Sequence, residues 1–231
     1  MIIGILQPGY LPWLGFFEQL YKSDIFVIYD DVQYDKHGWR NRNKIKTANG
    51  IQWLTVPVHA NISLSPLIYQ VKIDNSTNWR KKHLQSIRQN YAKTRYFKNY
   101  LPLFEEAYSI SWEYLVDLDI FFINRLVSCI GMENKRIVRS SDLKIEGARL
   151  EKLIAICKHF RADIFYEGAA GQSYLDPENF ESYGIKIKFQ DYRHPIYNQL
   201  YGKFASKLSV VDLLFNCGNK SLSVLLNQKI I

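Results

Sequence analysis

The chain has 231 residues, 47% hydrophobic and 23% charged, with a net charge of +8. That length can bury a substantial core, and the composition is ordinary for a globular protein. The longest apolar run, around Ile120 to Ile130, is broken by Asn124 and Arg125, so no membrane span is expected.

Cys129, Cys157 and Cys217 are widely separated, with no CxxC spacing, and read as buried reduced thiols rather than a disulfide framework. The chain begins directly on a strand pattern without the charged and apolar regions of a signal peptide, so a cytoplasmic protein is expected. The positive charge is uneven. From Lys36 to Lys46 there are five cations and no acid, and from Arg80 to Lys98 seven and no acid. Such tracts suit a phosphate-bearing small molecule, an anionic membrane surface or RNA. No RNA-binding signature accompanies them, which ranks nucleic acid below a phosphorylated ligand.

In chain order, Ile2–Leu6 and Ile25–Tyr29 are continuous apolar runs, as strands covered on both faces require. Phe16, Phe17, Leu20 and Tyr21 fall between them at helical spacing. WRNRNKIK (residues 39–46) alternates cations with asparagines. IQWLTVPVH and LIYQVKI are expected to pair as two strands through a Ser/Pro loop, with Pro57 marking an edge or bulge. Asn75–Asn90 is expected to be helical, with Trp79, His83, Ile87 and Tyr91 on one face. Pro102 is placed near the start of a further helix, and Trp112–Cys129 reads as strongly helical. Lys135–Ser140, Asp163–Tyr166 and Ile185–Gln190 read as strands, the last near an edge. Ala148–Phe160 and Ser209–Phe215 read as helices, the second stopped at Gly218. Strands alternate with helices at both ends of the chain. The expected fold is therefore α/β: a mainly parallel, Rossmann-like sheet with helices on both faces, plus a strand pair and a helical insertion. A single domain over residues 1–231 is expected, with the insertion at about 75–130.

Four constellations carry chemistry. Gln7 and Tyr10 supply hydrogen-bonding groups in a loop fixed by Pro8, Gly9 and Pro12, with Trp13 beside them. Asp30 and Asp31 close the second strand, where a carboxylate can accept from a sugar hydroxyl or act as a base, or simply cap a turn. If WRNRNKIK is extended, Arg40, Arg42, Lys44 and Lys46 lie on one face and can grip phosphates. Glu167 follows an apolar strand and precedes Gly168 and Gly171. His194, between Tyr192 and Tyr197 on a strand-exit loop, is the histidine best placed to serve as a general base. The five histidines include no HxH or HxxxH pair, so no metal site is expected.

The first strand and its loop share the layout of a nucleotidyltransferase pattern ending His-x-Gly-His. Trp13-Leu14-Gly15-Phe16 stands in that place, and the two missing histidines remove that chemistry. IGILQPGYLPWLGFFEQL, SDIFVIYDDVQY, WRNRNKIK and WLTVPV together resemble the WbqC-like family, and YEGAAGQSYL, FQDYRHPIY and FASKLSVVDLLFNCG fit it too. The positions matching the family motif are Gln7, Pro8, Tyr10, Pro12, Trp13, Asp30, Asp31, Gln33, Trp39, Arg40, Asn41 and Arg42.

The resemblance implies a bacterial protein of surface-polysaccharide, lipopolysaccharide or O-antigen biosynthesis. It implies a transferase moving an acyl or aminoacyl group, such as glycine, onto a nucleotide-linked amino sugar. On that reading the catalytic residues are His194, Asp30 and Asp31. The substrate-binding residues are Gln7, Tyr10, Trp13, Trp39, Arg40, Asn41, Arg42, Lys44, Glu167 and Tyr192. The partners would be the nucleotide sugar and an acyl-thioester donor, coenzyme A or an acyl carrier protein. The alternative is a non-catalytic protein of a polysaccharide assembly complex that binds a sugar nucleotide or a partner.

Overall fold

The structure, a computed structural model, describes residues 1–59 and 66–227. In chain order it contains β1 (Ile2–Leu6), α1 (Leu14–Lys22), β2 (Ile25–Ile28), β3 (Arg42–Thr47), β4 (Gly50–Thr55), β5 (Val58–His59) and β6 (Lys72–Ile73). Helices α2 (Trp79–Tyr91), α3 (Phe97–Ser109) and α4 (Leu115–Ile130) follow. Then come β7 (Arg136–Arg139), α5 (Ser140–Leu143), α6 (Arg149–His159), β8 (Ile164–Glu167), α7 (Glu178–Glu181) and β9 (Lys186–Phe189). The last helices are α8 (Val210–Cys217) and α9 (Ser221–Leu225). The chain divides into two compact units. The first holds Met1–Gln7, Gly15–Val32 and Asn134–Arg193; the second holds Pro8–Leu14, Gln33–Glu133 and His194–Ile231.

The first unit is a five-stranded sheet in the order β7-β2-β1-β8-β9, with every neighbouring pair parallel. Numbered within the unit, the order is 3-2-1-4-5, a doubly wound arrangement whose order reverses between β1 and β8. Successive side chains alternate across the sheet, so the register sorts them into two rows. Ile25, Ile3, Phe165 and Ile187 form one row and pack on Ile154, Ile156 and Cys157 of α6 and on Phe180 of α7. Phe26, Gly4 and Tyr166 form the opposite row, where Phe16 of α1 meets Phe26 with ring centroids 5.1 Å apart. Helices therefore cover both faces, as the apolar runs require. Gly4 lets α1 come close: a Cβ there would lie 2.4 Å from Ser23 Oγ and 3.0 Å from the Phe26 ring.

In the second unit, β3 and β4 form an antiparallel hairpin in register from Arg42 opposite Thr55 to Thr47 opposite Gly50, and β5 pairs antiparallel with β6. This differs from the expected pairing of IQWLTVPVH with LIYQVKI. The IQWLT stretch pairs backward with β3, and Pro57, which has no N–H to donate, separates β4 from β5. Ile68–Gln70 winds into a short 3-10 helix, leaving only Lys72–Ile73 extended. Most of the expected joining loop, residues 60–65, lies outside the described residues. Helices α2 to α4 are the insertion. Trp79, His83, Ile87 and Tyr91 are the buried face of α2, as their four-residue spacing predicts. Pro102 lies inside α3 rather than near its start. Loop 8–14 is built into this unit by backbone bonds: Tyr10 N donates to Arg40 O, and Val210 N donates to Pro12 O, each at 2.9 Å.

Candidate functional site

Open α/β sheets bind ligands beyond the carboxyl ends of their strands, at the point where the strand order reverses. In the first unit that point is flanked by Gln7, just after β1, and by Glu167, the last residue of β8. Strand alternation puts Gln7 on the face of Ile3 and Ile5, and Glu167 on the face of Phe165. Both belong to the side covered by α6, and Tyr29, following β2, packs there too.

Glu167 is buried, and Tyr174 Oη donates to its Oε1 at 3.2 Å. Burial disfavours the carboxylate and lifts its pKa from 4.5 to about 7, against the opposing hydrogen bonds from Tyr174 and the Gly168 backbone. Gly171 makes this turn possible, because a Cβ there would lie 2.4 Å from Glu167 Cγ. Across the edge, the Tyr29 hydroxyl is buried with no hydrogen-bond partner among the described residues. Burial, and then the charge of Asp31, push it up to about 12. The edge thus offers a carboxyl that titrates near neutrality, a hydroxyl with spare capacity and the Gln7 amide.

The two aspartates are committed internally. Asp30 Oδ2 accepts from Arg139 Nε at 2.7 Å and Ser141 Oγ at 3.0 Å, and Oδ1 accepts from Ser141 N at 3.0 Å. Asp30 therefore caps the start of α5. Asp31 accepts from Ser140 Oγ at 2.5 Å and pairs with Lys152 Nζ of α6 at 2.6 Å. On the α1 face, Glu18 accepts from Tyr166 Oη at 3.1 Å, Gln190 Nε2 at 2.5 Å and Lys22 Nζ at 2.5 Å. Tyr192 lies within the field of Glu18, and burial first, then that charge, raise its hydroxyl pKa.

The other predicted residues belong to the second unit. Tyr10 is fully buried, and its hydroxyl meets His83 Nδ1 at 2.9 Å and the Tyr108 hydroxyl. Trp13 forms a backbone bridge with Ser209. Asn41 Nδ2 donates to Val56 O at 2.8 Å, and Asn43 Nδ2 to Leu11 O at 2.7 Å. The asparagines thus take the inner face of β3 and the cations the other, as extended backbone requires.

The row of four cations does not act as one grip, and this corrects the expectation. Arg40 precedes the strand and donates to Pro8 O at 2.8 Å; burial lowers its pKa, opposed chiefly by Asp119. Lys46 is buried and donates to Lys203 O at 2.7 Å and Gln199 Oε1 at 3.1 Å. Arg40, Arg42 and Lys44 are all half-exposed, and Arg42 donates to His37 O at 2.7 Å. Arg42 and Lys44 lie over indoles: Arg42 is 5.2 Å from the Trp53 ring, and Lys44 is 4.7 Å from Trp53 and 5.1 Å from Trp39. His194 is half-buried, with Nδ1 3.0 Å from Pro195 O. A carbonyl only accepts, so Nδ1 carries the proton and Nε2 is the basic nitrogen. Burial holds its pKa below the usual histidine range.

Sequence reasoning missed Glu18, Lys152, Asp119 and Trp53. The first three lie on α1, α6 and α4, away from the loops and strand ends that the sequence reading singled out. Trp53 was recoverable only through its pairing with Lys44. Among the described residues, no group of three or more His, Cys, Asp or Glu is placed to hold a metal ion. No described helix is long and apolar enough to cross a membrane.

The first unit defines a doubly wound α/β protein with a polar edge at its switch point. The chain belongs to the WbqC-like protein family, whose profile matches residues 7–224. It is also similar to the uncharacterized protein Rv1507c of Mycobacterium tuberculosis, with 34% identity over 221 residues that cover 94% of each chain. No solved structure matches the chain.

Proposed function

We propose that the protein is a transferase that places an acyl or aminoacyl group on the amine of a nucleotide-linked sugar, in bacterial lipopolysaccharide or O-antigen biosynthesis. The observation that carries this reading is Glu167: a buried carboxyl at the switch point of a parallel sheet, with a pKa of about 7. A general base is most effective when its pKa lies near the working pH. In the proposed step the sugar amine attacks the carbonyl carbon of a thioester on coenzyme A or an acyl carrier protein. The N–C bond forms as the C–S bond breaks, Glu167 takes the proton from nitrogen, and the thiolate leaves. Gln7 and the Tyr29 hydroxyl hold sugar hydroxyls beside it. Asp30 and Asp31 then support the edge rather than react, and His194 is the competing base.

A second reading, a non-catalytic protein that binds a sugar nucleotide or a partner, is favoured by Asp30, whose two oxygens are both taken by internal donors. Thermal shift with UDP-, GDP- and dTDP-sugars identifies the ligand, because a molecule bound only by the folded state raises Tm by mass action. Glu167→Gln is expected to keep that shift and lose about 100-fold or more in transfer rate. Unchanged transfer in Glu167→Gln, with loss in His194→Ala, moves the base to His194. Binding without transfer from any thioester donor supports the second reading.

A further inference from the structure

The outer face of the β3–β4 hairpin combines features that an ordinary solvated surface lacks. Trp39 and Trp53 are each 43% exposed, with ring centroids 5.1 Å apart, and Ile51, two residues along β4 on the same face, is 54% exposed. Lys44 lies directly opposite Trp53, and Lys46 opposite Ile51. Lys44 and Arg42 stand over the indoles, and Lys36 is exposed in the preceding loop. The second basic tract reaches only the opposite face of this hairpin, because Gln52 alternates with Ile51 and Trp53 along β4 and pairs with the buried Ile45. Gln52 Nε2 of β4 donates to Ser86 Oγ of α2 at 3.0 Å, and the exposed Lys82 stands one helical turn before Ser86. The first tract thus surrounds one exposed aromatic and aliphatic patch.

We propose that this hairpin docks the protein on an anionic lipid bilayer. Trp39, Trp53 and Ile51 sit at headgroup depth, while Lys36, Arg42 and Lys44 face lipid phosphates. Indoles favour the membrane–water boundary, where an apolar ring and a polar N–H are both accommodated, and basic side chains beside them are drawn to anionic lipid. The arrangement suits lipid better than a nucleotide or RNA. Lys44 lies over both indole rings, where a base would have to stack, and Ile51 offers nothing to a nucleic acid. The inference stands apart from the transferase reading, which rests on the first unit.

The test is flotation of the full chain with vesicles of phosphatidylcholine alone and of phosphatidylcholine mixed with phosphatidylglycerol, at low and high salt. Binding is expected only to the anionic vesicles, weakening as salt screens the charges. The double variant W39A/W53A and, separately, K44E are expected to lose roughly tenfold or more of that partitioning. Ile51→Glu, at an exposed position, is expected to act in the same direction without threatening the fold. Equal binding to both vesicle types, indifference to all of these variants, or RNA binding with no vesicle binding would overturn the proposal.

Discussion

At the scale of single residues, Asp30 shows how a site-like carboxylate is drawn into the framework. Its oxygens collect the Arg139 guanidinium, the Ser141 hydroxyl and the Ser141 N–H. Removing a buried partner leaves a cation and an amide that water reaches poorly. Asp30→Ala is expected to cost about 3 kcal/mol in urea unfolding; a loss near zero would show that these contacts do not hold the edge. Glu167 is the opposite case, a buried carboxyl without a cation to compensate it. The sequence made Glu167 visible, because an acid between an apolar strand and two glycines is an exposed-edge pattern. It could not show that burial lifts the carboxyl toward neutrality. Nor could it show that Arg40 and Lys46 turn to carbonyls at Pro8 and Lys203, because those acceptors lie far along the chain.

At the scale of elements, periodicity was informative wherever burial is one-sided. The four-residue steps of α2, the apolar runs of β1 and β2, and the alternation of WRNRNKIK all appear in the structure because each rests on a fixed geometric repeat. Strand partnership was not legible. Nothing in IQWLT says that it folds back on Arg42–Thr47 rather than forward, and pairing depends on which face the rest of the unit covers. The packing of α1 on the sheet depends on a missing side chain at Gly4. Gly4→Ala drives a methyl into Ser23 Oγ and the Phe26 ring, and overpacking of that kind costs about 1–3 kcal/mol. Thermal unfolding of the variant measures it, and a Tm equal to that of the parent protein would mean that α1 can move away freely.

At the scale of the whole molecule, the raised Glu167 pKa couples folding to pH. Between 4.5 and about 7 the folded state holds a proton that the unfolded chain has released. The stability this contributes is fully present below 4.5 and lost as pH rises through 7. Relative to Glu167→Gln, the protein is expected to lose about 3 kcal/mol across that window in urea titrations. Parallel pH curves for the two proteins would contradict it.

The reversal of strand order in the 3-2-1-4-5 sheet marks the edge where the proposed ligand would bind, and Glu167 is the group there whose pKa burial lifts toward neutrality. The direct measurement is a 13C NMR titration of the Glu167 carboxyl, identified by its loss in Glu167→Gln, with and without the sugar nucleotide that gives the largest thermal shift. The account predicts a midpoint near 7 that moves when the sugar nucleotide is added. A midpoint near 4.5, unmoved by any sugar nucleotide, would contradict it.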